Sequence, residues 1–286
     1  MVYKLFSNLT IICVLLLVSI NISLVGQSDQ LEVVNLTTEY KTNPVGIDVR
    51  EPRLSWKIKS ARKNMIQAAY QIQAAENKDD LRNGEQLIWD SGRVKSDRSI
   101  HIVYRGSELG SRDRIYWRVR IWDSEGNQSS WSEIAYWEMG LLQTSDWKAD
   151  WIQPDIKEDT SKSNPVQMLR KSFQLNGEIQ SARAYVTCLG LYEMEINGRK
   201  VGDQVFTPGW TSYHKRLQYQ TYDITDLLQS GPNACGVYLG DGWYRGRLLW
   251  NGQRNHYGKK LALLAQIKVK YQDGSKQIIK TGPDWK

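Results

Sequence analysis

Two glycine-flanked aromatic segments hold the residues of this 286-residue chain best suited to chemistry. Gly240-Asp241-Gly242-Trp243-Tyr244-Arg245-Gly246 sets an aromatic pair between small residues, and Pro208-Gly209-Trp210 is a rigid turn presenting an indole. Tyr213 follows the second segment, and Trp250-Asn251 follows the first. An indole offers an apolar face to the C–H side of a sugar ring, while Asp241, Arg245 and Asn251 carry the donors and acceptors that hydroxyls need. Loops held by a rigid scaffold are a common place for such groups. The same residues have a second reading. Trp210 and Trp243 also suit the mouth of a sandwich core, and Asp241 also suits a hydrogen bond that fixes its own loop.

Hydrolytic chemistry is not legible in the chain. Cleavage of a glycosidic bond needs two carboxyl groups flanking it. Asp203, Asp223, Asp226 and Asp241 qualify by type only, and Asp223 and Asp226 read as turn-capping residues. His101, His214 and His256 have no evident partners, and no G-x-S-x-G, H-E-x-x-H, phosphate-binding loop or C-x-x-C occurs. No catalytic residue, cofactor or metal ion is expected.

The composition is that of an ordinary globular chain, 41% hydrophobic and 24% charged, with a length of about two domains. Trp and Tyr number 12 and 15 against 3 Phe, a skew that favours an extracellular, carbohydrate-facing β protein. The net charge of +7 is uneven: residues 30–140 carry 17 basic and 16 acidic side chains, residues 164–286 carry 17 and 9. A basic second half suits an acidic polysaccharide or a diffuse solvated surface, and no nucleic-acid motif accompanies it. Residues 1–26 read as a signal peptide, with Lys4 ahead of an apolar run centred on Ile11–Val18, so an exported, periplasmic or extracellular protein is expected. The only membrane contact anticipated is through that segment. Beyond it lie Cys188 and Cys235, both in apolar strand-like runs, which either pair or serve as small buried hydrophobes.

The elements that must position the aromatic loops read as strands. In Tyr116-Trp117-Arg118-Val119-Arg120-Ile121-Trp122 the apolar residues Trp117, Val119 and Ile121 alternate with the others, the period of a strand with one face on a core. Short runs of this kind over 30–140, with turns between, predict a fibronectin type III-like, immunoglobulin-like sandwich. Arg118 and Arg120 are placed to stack on Trp131, and Lys78–Glu85 is the one plausible helical turn. Residues 141–163 read as a linker, pinned by Trp147, Trp151, Ile152 and Pro154 and mobile from Asp155 to Ser163. Residues 164–286 alternate again and predict a jelly-roll β-sandwich, with Asn197-Gly198 as a hairpin turn. Trp285 has no following strand to cover it, so this sandwich is expected to be incomplete at its C-terminus, with an open sheet edge.

Several motifs, taken together, resemble the N-terminal region of bacterial α-L-rhamnosidases of glycoside hydrolase family 78. They are Asn43-Pro44-Val45-Gly46-Ile47-Asp48, Pro52-Arg53-Leu54-Ser55-Trp56, Trp89-Asp90-Ser91-Gly92, Tyr116-Trp117-Arg118-Val119, Ile196–Gly202, Pro208-Gly209-Trp210-Thr211 and Gly240–Gly246. The resemblance covers residues 31–286. It implies a fibronectin-like domain and a carbohydrate-binding-like sandwich preceding an inverting (α/α)₆ catalytic barrel that hydrolyses terminal α-L-rhamnosides of plant or algal glycans. Nothing in this chain matches the barrel, so the resemblance transfers no catalytic residue. Some relatives hold rhamnose with calcium and a loop carboxylate; the corresponding loop here is Ser212-Tyr213-His214-Lys215, without one. The expected partner is a rhamnose-containing glycan, and the alternative is a stand-alone carbohydrate-binding or surface adhesion protein.

Overall fold

The computed structural model describes residues 31–248 and 250–286. The predicted signal peptide lies outside the described residues. The chain is all-β. Its first sandwich holds β1 (Glu32–Thr38), β2 (Val45–Ile47), β3 (Arg53–Lys59), β4 (Gln67–Ala75), helix α1 (Lys78–Asn83), β5 (Trp89–Asp90), β6 (Val94–Lys95), β7 (Ile102–Val103), β8 (Arg114–Asp123) and β9 (Ala135–Met139). A sheet ordered β1-β3-β7 faces one ordered β2-β9-β8-β4-β5, with β6 also on β4.

The alternation in β8 has the predicted effect: Ile115, Trp117, Val119 and Ile121 are fully buried. They pack with Leu54, Trp56, Ile72 and Trp137 into one core. The indole N–H of Trp56 donates to Gln67 Oε1 at 3.0 Å, so this buried polar group is satisfied. On the opposite face, the guanidinium carbons of Arg118 and Arg120 sit 4.4 and 4.5 Å from the Trp131 ring centroid, as the spacing predicts. Ser129 and Ser132 anchor the turn beneath that indole, their hydroxyls accepting from the amides of Ile121 and Val119 at 3.0 and 3.1 Å. The anticipated helical turn is α1, started by Asn77, whose side chain accepts from the Asp79 amide, and stopped by Gly84 at φ 74°.

The second sandwich holds β10 (Gln167–Leu175), β11 (Ile179–Leu189), β12 (Leu191–Ile196), β13 (Arg199–Lys200), β14 (Gln220–Asp223), β15 (Gly231–Gly240), helix α2 (Gly242–Arg245), β16 (Ala262–Tyr271) and β17 (Lys276–Lys280). Sheets β10-β15-β12-β13 and β14-β11-β16-β17 enclose a second core that includes Val186, Ile196, Val237, Leu263 and Val269. The turn between β12 and β13 is the expected one, with Asn197 at φ 51° and Gly198 at φ 76°. Cys188 and Cys235 are free and buried within this core. Burial pushes the Cys235 thiol up to about 12 and raises Cys188 as well.

Neither the uncovered Trp285 nor the mobile segment is found. Trp285 is half-buried against the second core, its indole N–H donating to the Lys280 carbonyl at 2.9 Å. Lys286 exchanges backbone hydrogen bonds with Arg170 at 2.7 and 3.0 Å, so the chain runs alongside edge strand β10 there and covers part of it. The segment from Asp155 to Ser163 is tied down as well, because Glu158 and Thr160 bond side chains of the second sandwich. Polar partners some ninety residues away, Arg245 and Asn255, hold it and are invisible to composition.

The two sandwiches meet along a built junction. Tyr219 accepts from the Leu141 amide at 2.7 Å and meets Trp147 edge-on at 5.5 Å. Gln266 brackets the linker, accepting from the Lys148 amide at 2.8 Å and donating to the Asp146 carbonyl at 3.0 Å. Gly46, at φ 83°, comes so close to Thr221 that a Cβ would lie 2.5 Å from the threonine side chain.

Candidate functional site

The loop after β15 is set by a buried ion cluster. Gly242, at φ 50°, a conformation suited to glycine, opens α2. Arg245 at its end is 1% exposed. Its Nε donates to Asp241 Oδ1 at 2.6 Å, Nη1 bonds Glu158 Oε2, and Nη2 donates to Glu158 Oε1 at 3.2 Å. Arg254 Nη2 donates to the other oxygen of Asp241, and Asn255 Nδ2 reaches the Thr160 carbonyl at 3.0 Å. Burial alone would lower the Arg245 pKa; hydrogen bonds to Glu158 and Asp241 outweigh it and raise the guanidinium above its ordinary value. Arg245 therefore fixes the loop, and its guanidinium is enclosed instead of reaching outward to a hydroxyl. Asp241 takes the loop-fixing reading.

The rings stand on this base. Trp210 and Trp243 stack with centroids 6.1 Å apart and planes 5° from parallel, an offset arrangement that leaves Trp210 55% exposed. Phe206, itself exposed, meets Trp243 edge-on at 5.9 Å. Tyr213 and Tyr244 form an underlayer at 5.4 Å, and burial pushes the Tyr213 hydroxyl up to about 12. Tyr257 links the layers: it lies 4.8 Å from Tyr213, and its hydroxyl accepts from the Trp210 indole at 3.2 Å. Trp250 is wholly exposed on a turn closed by the Leu248 amide and Gln253 carbonyl at 2.9 Å, where Asn251 Oδ1 accepts from the Gln253 amide at 3.3 Å.

Residues 33–143 match the family described as Rha78A-like, N-terminal immunoglobulin domain, and residues 177–286 match the Alpha-L-rhamnosidase N-terminal domain. An α-L-rhamnosidase of Formosa agariphila is 39% identical over 250 residues, which are 85% of this chain and 27% of that protein. The chain corresponds to the N-terminal region of α-L-rhamnosidases. The Streptomyces avermitilis α-L-rhamnosidase crystallised with L-rhamnose superposes with a TM-score of 0.81 at 26% identity, over 90% of this chain and 41% of that one. The native enzyme of Aspergillus terreus gives a TM-score of 0.81 at 37% identity, over 89% and 29%.

Within this rhamnosidase N-terminal region, Trp210, Tyr213, Trp243 and Tyr244 converge as one cluster. Phe206, His214, His256 and Tyr257 belong to it too, and of these Phe206 and Tyr257 carried no expectation from the sequence. His214 and His256, without evident partners in the sequence, sit 5.6 and 4.7 Å from the Tyr257 ring. The available hint was local: Val205-Phe206 is an apolar pair just before Pro208, and His256-Tyr257-Gly258 repeats the ring-beside-glycine pattern. The loop 212–215 turns Tyr213 onto other rings and holds no carboxylate, a donor set unsuited to a hard cation such as calcium. Asp223 is a turn residue, accepting from the Thr225 amide and hydroxyl at 3.1 and 2.6 Å.

Proposed function

We propose that this chain is the accessory N-terminal region of an exported α-L-rhamnosidase acting on terminal α-L-rhamnosides, and that its second sandwich binds the glycan on the aromatic loops. The observation that carries the binding role is the stacked Trp210–Trp243 pair, open to solvent on one side and backed by the Arg245 ion cluster. A pyranose presents an apolar C–H face to such a surface, and a rigid ring loses little entropy on contact. The Streptomyces relative, crystallised with L-rhamnose, supports the choice of sugar.

Calorimetric titration with L-rhamnose and with a rhamnose-containing oligosaccharide tests the reading. Trp243→Ala and Trp210→Ala should each weaken binding by about tenfold, the scale of losing one ring contact worth about 1.4 kcal/mol. Variants that keep the wild-type melting temperature and bind like wild type would exclude the aromatic platform.

A further inference from the structure

A second site stands at the junction of the two sandwiches, away from the aromatic loops. The outer face of β11, β16 and β17 carries like charges set directly across from one another. Arg183 on β11 is opposite Lys268 on β16, and Lys270 on β16 is opposite Lys276 on β17. Such pairs destabilise a sheet. The first sandwich adds Arg112 and Arg114 over the same face, and together these residues line a cleft of about 470 Å³. The one acidic side chain lining it is Glu138, whose carboxylate is already shared: Arg114 Nη2 bonds it at 2.7 Å and Arg183 Nε at 2.9 Å. Arg183 also pairs with Asp223 at 2.9 Å, and Arg112 lies 3.7 Å from Asp146. Among the described residues no carboxylate forms an ion pair with Lys268, Lys270 or Lys276. Burial, then the charges of Arg112 and Lys276, lower the Lys268 pKa, with Asp146 and Glu138 only partly opposing them.

We propose that this interdomain cleft is an anion-binding site that takes the carboxylate or sulfate groups of an acidic glycan. An incoming anion relieves the repulsion between the facing cations, which otherwise weakens the folded state. The cleft volume lies within the usual range for a small ligand and fits a short stretch of polysaccharide. Gln180, Ser181 and Tyr116 line it beside the cations and supply hydroxyl and amide partners for sugar oxygens. A single-stranded nucleic acid would need a groove running several nucleotides with rings to stack on. Here two rings line the cleft, Tyr185 buried and Tyr116 half-buried, too few to stack successive bases. That the anion rides on a glycan rests on the proposed function; the anion site itself does not.

The whole chain is titrated with polygalacturonate oligomers, dextran sulfate, neutral dextran and a single-stranded oligonucleotide at low and high salt. Wild type should bind polygalacturonate, dextran sulfate or both, and neutral dextran not at all. Response to the first alone names a carboxylate, to the second alone a sulfate. Lys270→Ala and Lys276→Ala remove exposed side chains and should each weaken binding by roughly twofold to fivefold, as expected for an exposed charge contact. Binding should fall as ionic strength rises past about 0.15 M. Lys59→Ala, an equal charge change in the first sandwich, should leave it unaltered. Trp243→Ala should also leave acidic-polymer binding unchanged, so failure of the aromatic platform and failure of this site read out separately. The proposal is overturned if both lysine variants bind like wild type, if Lys59→Ala weakens binding as much as they do, or if the oligonucleotide binds as tightly as the acidic polymers.

Discussion

Replacing Glu138 by Gln should loosen the junction between the sandwiches. Glu138 on β9 bridges Arg114 of its own sandwich and Arg183 of the other, with side-chain exposures of 7%, 31% and 9% respectively. Removing one partner of a buried ion pair costs about 3–5 kcal/mol, because the remaining charge is left enclosed and unpaired. Arg183 keeps Asp223 at 2.9 Å, and Arg114 is nearly one-third open to water, so the cost belongs at the low end, about 3 kcal/mol. For a chain of this size each kcal/mol moves the melting temperature by about 2–4 °C, giving a fall of about 6–12 °C. The amide has the shape of the carboxylate, so the change isolates charge from packing. Differential scanning calorimetry, with urea unfolding followed by tryptophan fluorescence, measures it. A melting temperature within about 1 °C of wild type would mean that the bridge behaves as a surface pair and does not fasten the sandwiches.

Arg245→Met should cost about 3–5 kcal/mol by leaving Glu158 without its buried partner, while Asp241 keeps Arg254, and limited proteolysis should then cut within residues 155–163 at a rate well above wild type; equal cleavage would separate Arg245 from that segment. Burial acts to raise the Asp123 carboxyl, but hydrogen bonds from Asn127 and Arg62 and the Arg62 charge hold it down at about 2. Its folded pKa is below its unfolded value, so its stabilisation is complete above about pH 4 and is lost as pH falls toward about 2. Asp123→Asn should flatten the fall in melting temperature across that window, and an unchanged slope would exclude Asp123 as its source. Iodoacetamide at about pH 8, mapped by mass spectrometry, should leave Cys188 and Cys235 unmodified in native protein and alkylate both in guanidinium, since buried protonated thiols are inert. Labelling of either in native protein would show that the second core opens.

Features set by near neighbours along the chain were legible before folding. The period of two in Ile115–Ile121 put those residues on one face, and sterics at positive φ made Asn197-Gly198 a hairpin turn. The stacking of Arg118 and Arg120 on Trp131 was legible because all three follow from one strand and its next turn. Trp210 and Trp243 were legible as loop aromatics because glycine and proline mark such loops locally. Their stacking on each other was not, since 33 residues and two strands separate them. The tertiary structure alone decided where the long-range charges went. Arg245 reads as a loop cation until Glu158, 87 residues earlier, encloses it. Lys268 and Lys270 lie on β16, and only the packing of the first sandwich brings Arg112 and Arg114 over them. Periodicity says which face a side chain takes; only the packing of one domain on another says what charge it will meet there, and at what exposure to water.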